Sequence, residues 1–439
     1  MKRVLIISYY WPPTGGSGVQ RWVKFAKYLP AQGWQPVVYT PLNPECLAED
    51  SSLLGDVPAC AEILRTPIRE PYALYRKFFG GSGEGGDKRE VNPVSRSRGG
   101  WKKKLSLFLR GNFFVPDPRA GWVRPSVRFL LKYLEEHPVD AIVTTGPPHS
   151  MHLIGRDLCR ALKHAGKPCP PWYADFRDPW TKMFYFKHLA LLPWNRRRHR
   201  KMEQSVLDEA TRVISVSPPV REDFQAATST PVELITNGFD PSDFPAFASG
   251  QPDEFFTLVH TGLFAADGNP LNLWKVVAEM CREDARLRDC LRIRLAGKVD
   301  GEIVEAIRAA GLGDQLVNLG YLPHSAVTSE QQGASVLLLP LRREPEYAAV
   351  LPGKIFEYLA ARRPVLGIGP RDGAAAKVLR DAAAGDMFDW DETAAVRAFI
   401  ETEWRRWLDG DRALLPGAAD KYSRIELTKQ LVALLESEK

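Results

Sequence analysis

The chain has 439 residues, more than one hydrophobic core ordinarily serves, so two domains of roughly 200 residues are expected. Hydrophobic residues make up 44% of it, enough for a sizeable core, and the net charge of +6 permits an anionic partner without requiring one. No apolar run approaches the ~18 residues of a transmembrane helix, and the six cysteines show no C-x-x-C pair and no metal-ligand spacing, so a cytoplasmic chain with reduced thiols is expected, soluble or peripheral on the inner face of a membrane.

Val4 to Ile7 reads as a buried strand too short for a signal peptide, and Tyr9 to Gly18 is a loop rich in Gly and Pro. Trp22, Val23, Phe25, Ala26 and Leu29 then recur at helical spacing, and Gln35 to Tyr39 makes a second strand. Strand, glycine loop, helix, strand is a βαβ unit and implies a parallel sheet. Further strands fall at Ala141 to Thr144, Trp172 to Asp175 and Arg212 to Val216. Ile235 to Asp240 is the last turn of this half, and Pro241 to Pro252, broken by Gly and Pro, is the linker. The second half offers strands at Thr257 to His260, Leu291 to Ala296, Val317 to Leu319, Val336 to Leu339 and Val365 to Ile368, with a helix at Leu271 to Met280. The expected architecture is α/β, two doubly wound Rossmann-like domains facing across a cleft. Residues 1–240 form the first, 253–415 the second, and 416–439 a helix packing back on the first.

The segment from Gly353 to Gly369 joins a helix start, a charge and a buried strand. Gly353 ends a loop, Ile355, Leu359 and Ala360 give the helix an apolar face, and Pro364 stops it. A helix N-terminus offers roughly half a positive charge and unpaired donors to an anion. Lys354 stands in that first turn, where a carboxylate is otherwise favoured, and the placement suits a phosphate; Glu357, one turn on, could hold a sugar's paired hydroxyls. In the first half three strand ends carry polar groups. They are the loop Gly15-Gly16-Ser17-Gly18, the turn Thr144 to Ser150 with His149 after two prolines, and Trp172 to Trp180 with Asp175, Arg177 and Asp178. Open α/β sheets bind ligands at such ends. Basic residues beside large apolar ones, Trp101, Lys102, Lys103, Lys104 and Phe108, suit an anionic membrane surface, and Arg196 to Lys201 form a second basic cluster. No helix-turn-helix, zinc-finger or aromatic RNA-binding pattern accompanies these cations, so nucleic acid is not an expected partner.

Taken in order, the Gly loop, Pro-Pro-His, Asp-Phe-Arg-Asp-Pro-Trp, Thr-Asn-Gly-Phe-Asp and Lys-Ile-Phe-Glu-Tyr-Leu-Ala resemble family 4-like bacterial glycosyltransferases with the GT-B fold, of the surface polysaccharide type. The resemblance implies a metal-independent enzyme without a cofactor, moving a hexose-type sugar from a nucleoside diphosphate sugar to a saccharide or lipid-linked acceptor. It places Gly16, Gly262, Lys298, Lys354 and Glu357 on the donor, and the acceptor chemistry near His149, Asp175 and Asp178. Where many members have a Gly-Arg pair and a Lys some five residues on, this chain has Leu263 and Gly268, and the acidic pair spaced by seven residues is broken at Ala349, with Glu344 and Glu346 nearby. Those departures keep two rivals open, a nucleotide-sugar epimerase of the same fold and a non-catalytic sugar-nucleotide binder.

Overall fold

The computed structural model describes residues 1–45, 49–70, 108, 109, 111–183, 186, 189–244, 254–415 and 419–438, and divides the chain into two units, Met1–Thr236 with Leu427–Lys439, and Asn237–Glu426. Trp101, Lys102, Lys103 and Lys104 lie outside the described residues.

Unit 1 is built on a parallel sheet of strands β1 (Lys2–Ile7), β2 (Trp34–Pro41), β3 (Glu62–Thr66), β4 (Ala141–Gly146), β5 (Trp172–Phe176), β6 (Arg212–Ser215) and β7 (Val232–Leu234), in the order β3-β2-β1-β4-β5-β6-β7. Helices α1 (Ser17–Tyr28), α2 (Val123–Glu136), α3 (Ser150–His164), α4 (Pro193–Glu209) and α5 (Pro218–Gln225) connect or flank the strands. The central strands are continuous apolar runs because a parallel sheet is covered on both faces, and Val4 to Ile7 are fully buried. The two edge strands escaped the sequence reading for the same reason. β3 mixes polar and apolar residues that are only partly buried, and β7 has three residues, so neither shows the apolar run of a covered strand.

Unit 2 repeats the plan with β8 (Phe256–Thr261), β9 (Leu291–Ala296), β10 (Leu316–Gly320), β11 (Val336–Pro340), β12 (Val365–Ile368) and β13 (Gly385–Phe388), ordered β10-β9-β8-β11-β12-β13 and parallel throughout. Its helices are α6 (Leu271–Glu283), α7 (Ala285–Cys290), α8 (Gly301–Ala309), α9 (His324–Gly333), α10 (Gly353–Ala361), α11 (Ala374–Asp381) and α12 (Thr393–Leu408). They bury two clusters, one on each side of the sheet, around Leu258, Ile293 and Trp274 and around Leu337, Leu339 and Phe356. Asp409-Gly410-Asp411 turns the chain after α12, with Gly410 at φ 73° and Asp411 held by Arg406. The last helix, α13 (Arg424–Glu436), returns to unit 1, where Leu427, Leu431, Val432 and Leu435 join the core of Val4, Trp22 and Val38. In both sheets strand order reverses once, between β1 and β4 and between β8 and β11, and the loops at the carboxyl ends beside such a reversal form the ligand-binding crevice of doubly wound folds.

Candidate functional site

At the reversal in unit 2, α10 begins after Pro352 with no side chain capping its free N–H groups and no acid in its first turn. Lys354 projects from that turn. Its Nζ donates to the carbonyl oxygen of Leu263 at 3.2 Å and lies 3.1 Å from Nε2 of His260. Nδ1 of the buried His260 is 3.1 Å from the Leu338 carbonyl oxygen, so its proton sits there and Nε2 is left to accept from Lys354. Burial, and then the Lys354 charge, hold His260 well below its ordinary pKa and keep the ring neutral. Burial also pushes Lys354 down to about 8, against the opposing pull of Glu357. The result is a cation fixed by two partners, with a third N–H left for a ligand.

Glu357 is aimed from the neighbouring helix. Nε2 of Gln331 on α9 donates to its Oε2 and to Oγ1 of Thr261, both at 2.9 Å. Tyr358, raised to about 12 by burial, accepts from the Thr261 backbone N–H at 3.1 Å and donates to the Leu338 carbonyl oxygen at 3.3 Å. Sequence reasoning passed over His260 and Gln331. The available signal was a histidine at the end of a buried strand, immediately before the Thr-Gly turn; Gln331, in a helix of weak pattern, gave none.

These groups border a cavity of about 250 Å³ lined by Thr261, Gly262, Ala296, Gly297, Lys354 and Glu357, with Tyr321, Leu322, His324 and Val327. Tyr321 is 90% exposed, a free aromatic face beside it. Gly262 and Gly297 take φ of 91° and 115°, and a Cβ on Gly297 would stand 2.4 Å from the Gly262 carbonyl oxygen, so the loops after β8 and β9 touch backbone to backbone. Gly297→Ala is therefore expected to cost about 1–3 kcal/mol and to displace the Gly262 loop. A melt that matched the parent protein would show the contact to be slack.

Lys298 corrects an expectation. Its side chain is exposed and does not line the cavity; only its carbonyl oxygen is engaged, accepting from the Phe264 N–H at 2.9 Å. Leu263 contributes its carbonyl to Lys354 although its side chain is half-exposed. Beside Gly268 a cation comes from the end of β11, where Arg342 pairs with Asp267 at 3.0 Å and a Cβ on Gly268 would lie 3.9 Å from Arg342 Cγ. One carboxylate oxygen of Glu344 is buried without a hydrogen-bond partner among the described residues.

In unit 1, Gly16 takes φ 101° at the start of α1, whose N-terminus also lacks a side-chain cap. The N-terminus of α3 is occupied instead, because Asp117 accepts from the Ser150 N–H and hydroxyl at 2.8 Å each. His149 precedes Ser150, 94% buried by its 6% exposure, and stacks on Trp180 with ring centres 4.6 Å apart. Neither ring nitrogen has a hydrogen-bond partner among the described residues, and burial, aided by His152, Arg177 and His199, keeps the ring neutral. Asp178 is partly buried and makes no hydrogen bond among the described residues; burial raises its carboxyl above the usual range, against Arg177.

Two assignments change. Asp175 is fully buried, and its oxygens accept from Arg21 at 2.8 and 3.1 Å, Trp22 Nε1 at 2.7 Å and the Thr145 hydroxyl at 2.9 Å. Burial alone would raise its pKa, but Arg21, then Trp22 and Thr145, hold it below the ordinary value, so it is a structural anion rather than a base. Arg177, expected among the acceptor or membrane contacts, is turned to the backbone instead. It donates to the carbonyl oxygens of Gly18, at 2.7 Å, and Pro147, tying the glycine loop to the Pro-Pro turn.

Residues 92–243 match the sequence family Glycosyltransferase Family 4. No curated protein sequence is significantly similar to the chain. Among solved structures, the sucrose-phosphate synthase of Thermosynechococcus elongatus is 16% identical with a TM-score of 0.59, over 99% of this chain and 98% of that one. WaaG, a glycosyltransferase involved in lipopolysaccharide biosynthesis, is 13% identical with a TM-score of 0.54, over 99% and 100%. TarM of S. aureus, solved with UDP and a saccharide ligand, is 10% identical with a TM-score of 0.55, over the whole of both chains. At such identities the likeness carries the fold. The chain therefore has the GT-B fold, and the match to Glycosyltransferase Family 4 falls on its residues 92–243.

Proposed function

We propose that the protein transfers a hexose-type sugar from a nucleoside diphosphate sugar to a saccharide acceptor, free or lipid-linked, in surface polysaccharide synthesis, with neither metal nor cofactor. The observation that carries the donor half is Lys354, oriented by His260 and Leu263 at the uncapped N-terminus of α10 and bordering the unit 2 cavity. Lys354 and the helix N–H groups meet the diphosphate, and the charge that grows on it as the sugar leaves is stabilised by donors already in place. Glu357, held by Gln331, accepts from the ribose hydroxyls, and Tyr321 and His324 face the base. In unit 1, Gly16 leaves the backbone at the uncapped start of α1 open to a ligand, while His149, with both ring nitrogens unpartnered among the described residues, and Asp178 serve the acceptor. The cytoplasm suits the five described cysteines, all of them free thiols. The Glycosyltransferase Family 4 match favours transfer over epimerisation.

Lys354→Ala is expected to weaken binding of a nucleoside diphosphate at least tenfold, since a charge-assisted hydrogen bond contributes about 1.5–3 kcal/mol. Only the ammonium grips the diphosphate, so affinity should be full below about pH 8 and decline as pH rises through that value. Calorimetry on both proteins decides it. Equal affinities in two folded proteins would remove the phosphate role. A nucleotide-sugar panel then separates the rivals: a transferase releases nucleoside diphosphate when acceptor is added, an epimerase converts the sugar without one, and a binder does neither.

A further inference from the structure

Helix α4 turns a polar stripe inward and a basic one outward. Asn195, His199 and Glu203 are buried: Asn195 donates to the Asn112 carbonyl oxygen at 3.0 Å, His199 Nδ1 accepts from Trp180 Nε1 at 3.0 Å, and Glu203 accepts from the Trp180 and Thr181 N–H groups at 3.2 and 3.1 Å. On the opposite side Trp194, Arg197, Arg198 and Lys201 follow one another at i, i+3, i+4 and i+7, all exposed, with Arg196 and Arg200 exposed on the flank. None of these five cations forms an ion pair among the described residues, and the first acid of the helix, Glu203, faces inward. Arg196 with Arg200 and Arg197 with Lys201 are like charges at i, i+4, which destabilise a helix. The cluster therefore works against the stability of the helix that carries it.

Two large apolar side chains accompany it. Trp194 is 64% exposed and Phe113 71% exposed. Asn112, next to Phe113, accepts from the Leu192 N–H at 2.8 Å and from Asn195 Nδ2 at 3.0 Å, which fixes Phe113 beside the start of α4. A nucleic-acid duplex would answer the cations and leave both aromatic side chains in water. A lipid headgroup layer answers both, because its anions pair with Arg and Lys while Trp and Phe enter the boundary with the acyl chains.

We propose that Trp194, Arg197, Arg198 and Lys201, with Phe113, seat unit 1 on an anionic lipid surface. The contact involves no donor-binding residue and stands apart from the proposed reaction. The full chain should sediment with vesicles of phosphatidylcholine containing phosphatidylglycerol, hardly with phosphatidylcholine alone, and less as salt rises, since screening acts over about 8 Å at physiological ionic strength. The triple change Arg197→Gln, Arg198→Gln, Lys201→Gln should lower vesicle affinity roughly a hundredfold, and Trp194→Ala should weaken the part that salt does not remove. Nucleoside diphosphate affinity should be unchanged in the triple variant and its melting temperature should not fall, so a failure here is distinct from a failure of the donor site. Equal binding to neutral vesicles, no effect of the triple change, or preference for a DNA duplex over anionic vesicles would each overturn the proposal.

Discussion

Asp178→Asn should slow sugar transfer at least tenfold while nucleoside diphosphate affinity and melting temperature stay where they were. The carboxylate is free of hydrogen-bond partners among the described residues, lies beside Arg177, and is raised by burial toward the range in which a base is useful. If it only orients the acceptor hydroxyl, its loss removes one charge-assisted hydrogen bond, about 1.5–3 kcal/mol or tenfold and more. If it takes the proton, the loss is on the order of 10²–10⁴, and the size of the drop then tells whether the carboxylate or the leaving phosphate is the base. The ionised form is the active one, so the rate should rise with pH through a value above that of an ordinary aspartate. That acid limb should be missing from the Asn variant. Transfer at the parent rate would place acceptor chemistry elsewhere.

Asp175→Ala should instead unfold unit 1 at a lower temperature, by the equivalent of about 3–5 kcal/mol, because it leaves the Arg21 guanidinium buried without its anion. Arg21 is 2% exposed and also donates to the carbonyl oxygens of Ile235 at 2.9 Å and Thr236 at 2.7 Å, so the pair links α1, β5 and the end of the unit. With its folded-state pKa lowered, Asp175 contributes stability above the unfolded pKa and loses it as pH falls through the folded one. The acid destabilisation of the parent protein should thus shrink in the variant. Replacing both partners by apolar residues, Arg21→Met with Asp175→Leu, should recover much of the loss. If Asp175→Ala melts like the parent and only turnover falls, the aspartate is catalytic after all.

The sequence by itself determined the layered α/β plan and the place of Lys354. A strand buried on both faces must be apolar throughout, so Val365–Ile368 could be bounded to the residue, and Leu291–Ala296 was legible from its alternation of buried Leu291, Ile293 and Leu295 with half-buried Arg292 and Arg294. Edge strands obey no such rule, and β3, β7 and β13 went unseen. Lys354 and Glu357 were legible because glycine, helix start and charge are adjacent in sequence. What holds them was not, since His260 and Gln331 are 94 and 26 residues away from those partners and meet them only when β8 and α9 pack beside α10. Three carboxylate and guanidinium groups within a few residues of one another, Asp175, Arg177 and Asp178, read alike as a sugar site. Only the tertiary structure separated them, because a strand alternates its side chains and the last residues of β5 and its following loop face different surroundings: Asp175 meets Arg21 from α1, Arg177 meets two loop carbonyls, and Asp178 keeps its oxygens free. The same holds for α4, where composition gave a basic cluster and helix geometry decided which cations face outward beside Trp194.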